Sequence, residues 1–172
     1  NTAAGMGKIM EQYSVLLVDD EEEVTQVILQ KIDWESLGFH IIGSATNGVK
    51  ALEMAEKYQP DVVMTDIKMP YMDGLELSGR LKKEFPTIRI LLFTGFDEFE
   101  YAKEAVHLEV EEYILKPINS EELTEVFVRL KETLDQDREE KRSVEKLQNY
   151  YLESLPLLQT NFYSSLIEGR VS

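Results

Sequence analysis

Five times along this chain a short apolar run gives way to a helical pattern, and few folds accept that alternation. Ser14-Val15-Leu16-Leu17-Val18 reads as a buried strand, and Val24, Val27, Ile28 and Ile32 then recur at helical spacing. Phe39 to Ala45 is the second strand, and Asn47 can cap a helix carrying Ala51, Leu52, Ala55 and Tyr58. Asp61 to Thr65 is the third strand, followed by a helix from Leu75 to Phe85 with Pro86 just beyond it. Ile88 to Phe93 is the fourth and most uniformly apolar strand. Asp97 and Glu100 resemble a capping box for a helix with Ala102, Ala105 and Val106. Val110 to Leu115 is the fifth strand, and Ser120 opens a helix with Leu123, Phe127, Leu130 and Leu134. Strands alternating with helices predict a parallel sheet covered on both faces. Right-handed crossovers make it an open, doubly wound α/β sheet. Such sheets bind ligands outside the carboxyl ends of their central strands, at the switch point.

Composition narrows the function. With 33 acidic and 18 basic residues the formal net charge is −15, which argues against a nucleic-acid surface within this chain. There is no cysteine, so disulfides, thiol catalysis and cysteine-ligated zinc are excluded. No apolar run approaches the roughly 18 residues of a membrane span, and no signal-peptide core precedes Met10. A cytoplasmic setting without membrane attachment is expected. Asn1 to Gly5 looks like an expression scar, and residues 1–12 are set aside as a lead-in. From Asp135 onward the net charge is only −2, against −13 before it, which places a boundary near 135.

Each strand end expected at the crevice carries a polar side chain. Asp19 and Asp20 end the first strand, Asp66 the third, Thr94 the fourth and Lys116 the fifth. Three carboxylates in one crevice repel, so one protonates or a cation binds. Oxygen ligands without His or Cys favour a hard ion such as Mg²⁺. A carboxylate can attack a phosphoryl group to form an aspartyl phosphate, and a nearby Lys and hydroxyl would stabilise the incoming oxygens. The competing reading, that these acids merely cap the following helices, serves for one Asp but poorly for the whole set.

Together these residues resemble the receiver domain of bacterial two-component response regulators. The motifs are Val18-Asp19-Asp20-Glu21, Asp66-Ile67-Lys68-Met69-Pro70 with Asp73-Gly74, Phe93-Thr94-Gly95, and Tyr113-Ile114-Leu115-Lys116-Pro117, within about Tyr13 to Leu134. Gly95 to Ala102 further resembles receivers attached to AraC-type DNA-binding domains. The resemblance implies a flavodoxin-like strand order 2-1-3-4-5. It implies that Asp66 accepts a phosphoryl group from a sensor histidine kinase in a Mg²⁺-dependent step. Asp20 and Asp66 would ligate the ion directly, with the backbone carbonyl of Lys68, and Asp19 would act through a metal-bound water. Lys116 would pair with phosphoryl oxygens, Thr94 would hydrogen-bond them, and Tyr113 would switch rotamer as Thr94 moves. The Lys116–Pro117 bond would be cis. The chain would be a signalling phosphoacceptor that assists its own phosphorylation and dephosphorylation, rather than an enzyme with a separate substrate.

One departure stands out. Receivers usually carry glycine before the fifth strand, where a left-handed cap is convenient, and this chain has Leu108-Glu109-Val110. A Glu in that conformation would be strained. Gly5-Met6-Gly7-Lys8 is no phosphate loop, since Ile9 follows the lysine. His40 and His107 are isolated surface candidates, and Glu21 to Glu23 suit a helix N-terminus.

The last helix runs past the minimal domain. Leu123, Phe127, Leu130 and Leu134 continue to polar Asp137 and Lys141, and apolar character resumes at Val144, Leu147, Tyr151, Leu155 and Leu158. One helix over 119–150 would be about 48 Å long. Pro156 is expected to kink or restart it, before an amphipathic segment with Phe162, Leu166 and Ile167. The expected organisation is a receiver over 13–134 and a coiled-coil-like linker over 135–172 leading towards an output domain, with DNA expected as the partner of the longer protein. A homodimer would form through the surface of the fourth helix, fifth strand and fifth helix and through the linker. The rivals are a scaffold receiver that is never phosphorylated and an aspartate-nucleophile phosphatase.

Overall fold

A computed structural model describes residues 12–95 and 109–167, with side chains as far as 155. The elements are β1 (Tyr13–Val18), α1 (Glu22–Lys31), α2 (Trp34–Leu37), β2 (Phe39–Ala45), α3 (Gly48–Tyr58), β3 (Val62–Asp66), α4 (Gly74–Glu84), β4 (Arg89–Thr94), β5 (Glu112–Leu115) and α5 (Ser120–Ile167). The five strands form one sheet in the order β2-β1-β3-β4-β5, with every neighbouring pair parallel. The expected helix after the fourth strand, its Asp97 and Glu100 cap, the 96–102 motif and His107 lie outside the described residues.

Burial explains why the interiors of the central strands are mostly apolar. In a strand, successive side chains face opposite sides. Leu16, Val18, Val63, Ile90 and Leu92 pack on one side with Ala51 and Ala55 of α3 and Leu77 and Leu81 of α4. The other side carries an aromatic cluster, in which the Phe127 ring meets Trp34 edge-on at 4.7 Å and Phe39 at 5.0 Å. The indole Nε1 of Trp34 is buried there with no hydrogen-bond partner among the described residues.

Caps follow the expected chemistry. Asn47 Oδ1 accepts from the Lys50 N–H at 2.8 Å, and Asp73 Oδ1 accepts from the Glu76 N–H at 2.8 Å. At the end of the sheet remote from the acids, Asp61 Oδ2 accepts from the Ser14 N–H and hydroxyl, and Ser14 Oγ accepts from the Asp61 N–H. This clamp holds β1 and β3 in the register that makes their acidic ends meet.

Glu109 adopts the left-handed conformation with φ 56°. An L side chain costs roughly 1 kcal/mol or more there, and glycine does not. Glu109→Gly is therefore expected to raise folding stability by about 1 kcal/mol in urea denaturation, net of the extra chain entropy glycine loses.

The chain divides into two compact units between Arg129 and Leu130. Helix α5 is continuous from Ser120 to Ile167. The restart expected at Pro156 is therefore not found. A proline removes one backbone hydrogen bond, and the bonds on either side can keep the helix going. In the second unit Val144, Leu147 and Tyr151 are exposed by 53%, 69% and 57%. No helix among the described residues is long and apolar enough to cross a membrane.

Candidate functional site

The two central strands β1 and β3 both run into acids. Asp19 and Asp20 follow β1, and Asp66 is the last residue of β3. One carboxylate oxygen from each lies within 4.8 Å of the others. Asp19 and Asp66 are buried and Asp20 is exposed.

Local backbone geometry aims the two buried acids. Asp19 Oδ1 accepts from the Glu21 N–H at 2.7 Å, which ties it to the start of α1. Asp66 Oδ1 accepts from the Ile67 N–H at 2.8 Å. Their second oxygens face Lys116, whose Nζ lies 3.2 Å from Asp66 Oδ2 and 3.5 Å from Asp19 Oδ2. Lys116 is held in turn at the end of β5, where its N–H donates to the Thr94 carbonyl at 2.7 Å. The Lys116–Pro117 peptide is cis.

Of the other expected residues, Thr94 is buried at the end of β4, and Lys68 is exposed in the loop after β3. Tyr113 lies on the edge strand β5 and is 37% exposed. Partial burial raises its hydroxyl pKa. His40 is exposed.

The electrostatics reflect crowding. Burial raises the Asp19 pKa and the charge of Asp20 adds to this, while the Glu21 N–H and Lys116 only partly compensate. Burial alone would lower the Lys116 pKa, but Asp66 and Asp19 outweigh it and the net shift is upward. With its folded pKa above the usual carboxylate value, Asp19 favours the folded state most at low pH. That contribution is lost as pH rises through the raised pKa. At neutral pH the ionised group is a liability, and Asp19→Asn keeps the oxygen that accepts from Glu21. This variant is expected to be more stable than the parent by on the order of 1 kcal/mol at pH 7 without divalent ions. The gain should shrink as pH is lowered towards 4, as read from urea midpoints across pH.

The loop after Asp66 is tightly specified. The Met72 N–H donates to the Pro70 carbonyl at 2.8 Å, and Tyr71 between them has φ 70°, which makes a γ-turn of the strained kind. Met72 is buried against Gly48, where a Cβ would stand 2.5 Å from the Met72 carbonyl oxygen. A Cβ on Gly74 would stand 2.1 Å from the Asp66 carbonyl oxygen. The Asp73-Gly74 pair is visible in the sequence, but its close approach to the backbone of Asp66 is not. A second residue that reading from sequence leaves unassigned is Phe93, whose ring lies beneath Lys116.

An open parallel sheet with buried carboxylates and a bridging lysine at its carboxyl edge defines a doubly wound α/β domain with its site at the topological switch point. The chain belongs to the response regulator receiver domain family, which matches residues 15–128. It is 44% identical over 123 residues to YesN of Bacillus subtilis, an uncharacterized transcriptional regulatory protein, covering 69% of this chain and 33% of that relative. The chain thus spans about a third of YesN's length. The receiver domain of AraT, a response regulator from Geobacillus stearothermophilus, matches with a TM-score of 0.71 at 38% identity, covering 73% of this chain and 98% of that domain. A two-component transcriptional regulator AraC from Clostridium phytofermentans matches with a TM-score of 0.69 at 31% identity, over 74% of this chain and 98% of that one. The family, the flavodoxin-like fold with its strand order and the likeness to receivers of AraC-type regulators agree with the expectations from sequence.

Proposed function

We propose that Asp66 accepts a phosphoryl group from a sensor histidine kinase and that this switches dimerisation and output. The observation that carries the reading is the geometry of Asp66. It is a buried carboxylate with a lysine ammonium 3.2 Å from one oxygen and two further acids close by. In the transfer, a carboxylate oxygen of Asp66 attacks phosphorus, the P–N bond to the donor histidine breaks, and its electron pair returns to the imidazole. Lys116 neutralises charge on the phosphoryl oxygens, and Thr94 hydrogen-bonds them.

The oxygen-only donor set fits Mg²⁺. Asp20, Asp66 and the Lys68 carbonyl would hold the ion, with Asp19 acting through water, and it would offset the charge gathered around the acceptor. The same pocket can position water against the acyl phosphate, which gives the domain a part in its own dephosphorylation.

A groove of about 370 Å³ between α1 and the turn after β5 supports a docking place for the kinase. It is lined by Val24, Val27 and Ile28 on one side and Lys116, Pro117 and Ile118 on the other. Phosphorylation adds a charge of about −1.5 to −2. Thr94 and Tyr113 then bias the surface formed by β5, the first turns of α5 and the helix expected between β4 and β5. Exposed Leu115 and Val128 give that surface apolar contacts for a second copy. The receiver runs to 134 in this reading, and the linker from 135 passes the change to a DNA-binding output domain that controls transcription in the cytoplasm.

Incubation with acetyl phosphate and Mg²⁺, followed by intact mass, tests the core of the proposal. One added phosphoryl group is expected, and none in a folded parent protein would overturn it. For the linker, Val144, Leu147 and Tyr151 recur at heptad spacing. Replacing Leu147 and Tyr151 by Glu is expected to weaken dimerisation by about a hundredfold or more, measured by light scattering over a dilution series.

A further inference from the structure

The Lys116 ammonium has a third neighbour besides its two carboxylates. Its Nζ stands over the ring of Phe93 at 5.1 Å from the centroid. Phe93 is wholly buried, and it pairs in register with Asp66 on one side and Ile114 on the other. In a parallel sheet, paired residues share a face, and residues two apart on one strand share it as well. Asp66, Phe93 and Ile114 therefore face the same side, and the alternation carried past the end of β5 adds Lys116. The ring lies on the strand between the one that carries the acceptor and the one that carries the cation.

We propose that Phe93 is a positioning residue, whose ring face holds the Lys116 ammonium where the phosphoryl oxygens of Asp66 will be. The inference rests on the reading of Lys116 as the phosphoryl-binding cation. An aliphatic residue could fill the same volume. Only an aromatic face also attracts the cation, through its negative quadrupole, and the attraction strengthens away from water. It is broad in direction, so the ammonium can turn from the carboxylate oxygen to a phosphoryl oxygen without losing the ring. Lysine has a flexible stem with many rotamers. The ring narrows them before the donor arrives, which lowers the ordering required at transfer.

The experiment replaces Phe93 with mono-, tri- and pentafluorophenylalanine, which nearly keep its shape while draining the ring face, and makes Phe93→Leu alongside. Phosphorylation by acetyl phosphate with Mg²⁺ is expected to slow stepwise along the fluorine series, reaching about three- to tenfold with five fluorines. Phe93→Leu should slow it to a similar degree. The ε-protons of Lys116 should show an upfield ring-current shift in the parent NMR spectrum and lose it in Phe93→Leu. Equal rates along the fluorine series in folded variants would overturn the proposal, and so would Lys116 ε-protons without a ring-current shift in the parent. If Phe93→Leu fails to fold, the fluorine series decides. If the parent itself takes up no phosphoryl group, the reading of Asp66 fails, and the ring contact is judged by the NMR shift alone.

Discussion

Asp66→Asn is expected to take up no phosphoryl group from acetyl phosphate under conditions in which the parent chain gains one. The amide oxygen lacks the negative charge that makes the carboxylate a nucleophile. The change keeps shape, so the Ile67 N–H at 2.8 Å retains an acceptor. Lys116 loses its nearer charged partner and keeps Asp19 at 3.5 Å. Removing one of three crowded acids also relieves repulsion, so the variant should remain folded. Intact mass gives the answer, with a thermal melt as the control for folding. Equal uptake by the Asn variant would move the acceptor elsewhere and sink the assignment. A folded variant without uptake, beside a phosphorylated parent, would also remove the scaffold reading.

The second large effect is expected at Gly74. A methyl group there would stand 2.1 Å from the Asp66 carbonyl oxygen and 3.0 Å from both the Asp66 carbonyl carbon and the Ile67 Cα. All three are backbone atoms, which cannot swing aside as a side-chain tip can. The Gly74 N–H also donates to the Ile67 carbonyl at 2.7 Å, so the two segments are tied together where the methyl would push them apart. Gly74→Ala should destabilise the fold by about 3 kcal/mol in urea denaturation. Gly43→Ala is the internal comparison, because its close neighbour is the Met54 Cε at 2.7 Å, the free end of a flexible side chain. It should cost less than about 1 kcal/mol. Similar losses at the two positions would refute the backbone-clash argument. A surviving Gly74→Ala protein should also be phosphorylated more slowly, since the displaced backbone carries the acceptor.

Much of the architecture was legible because local burial writes itself into local pattern. A strand covered on both faces must be apolar at consecutive positions, and the run from Ile90 to Phe93 meets that requirement; the structure places β4 at Arg89–Thr94. The cap at Asn47 depends only on a side chain three residues from the N–H it accepts from. Other features were less legible. The short helix α2 begins at Trp34 and has too few residues for a period to register. The continuation of α5 through Pro156 goes against the expected restart, because the hydrogen bonds on either side can carry a helix past one missing donor. The left-handed Glu109 was anticipated only as a conflict between residue type and position.

The sequence by itself determined the alternation of elements, the both-sided burial of the sheet and the chemical identity of the groups at the strand ends. These follow from periodicity and residue type, which act over a few neighbours. Tertiary structure decided which groups meet and at what distance. Lys116 reaches Asp66 at 3.2 Å although they are fifty positions apart, and the Phe93 ring lies under it. Gly74 fits against the carbonyl of Asp66 with no room for one more carbon. Such distances depend on strand register, on sheet twist and on the backbone contacts that lock them. Those are properties of the packed sheet as a whole, and no window of sequence contains them.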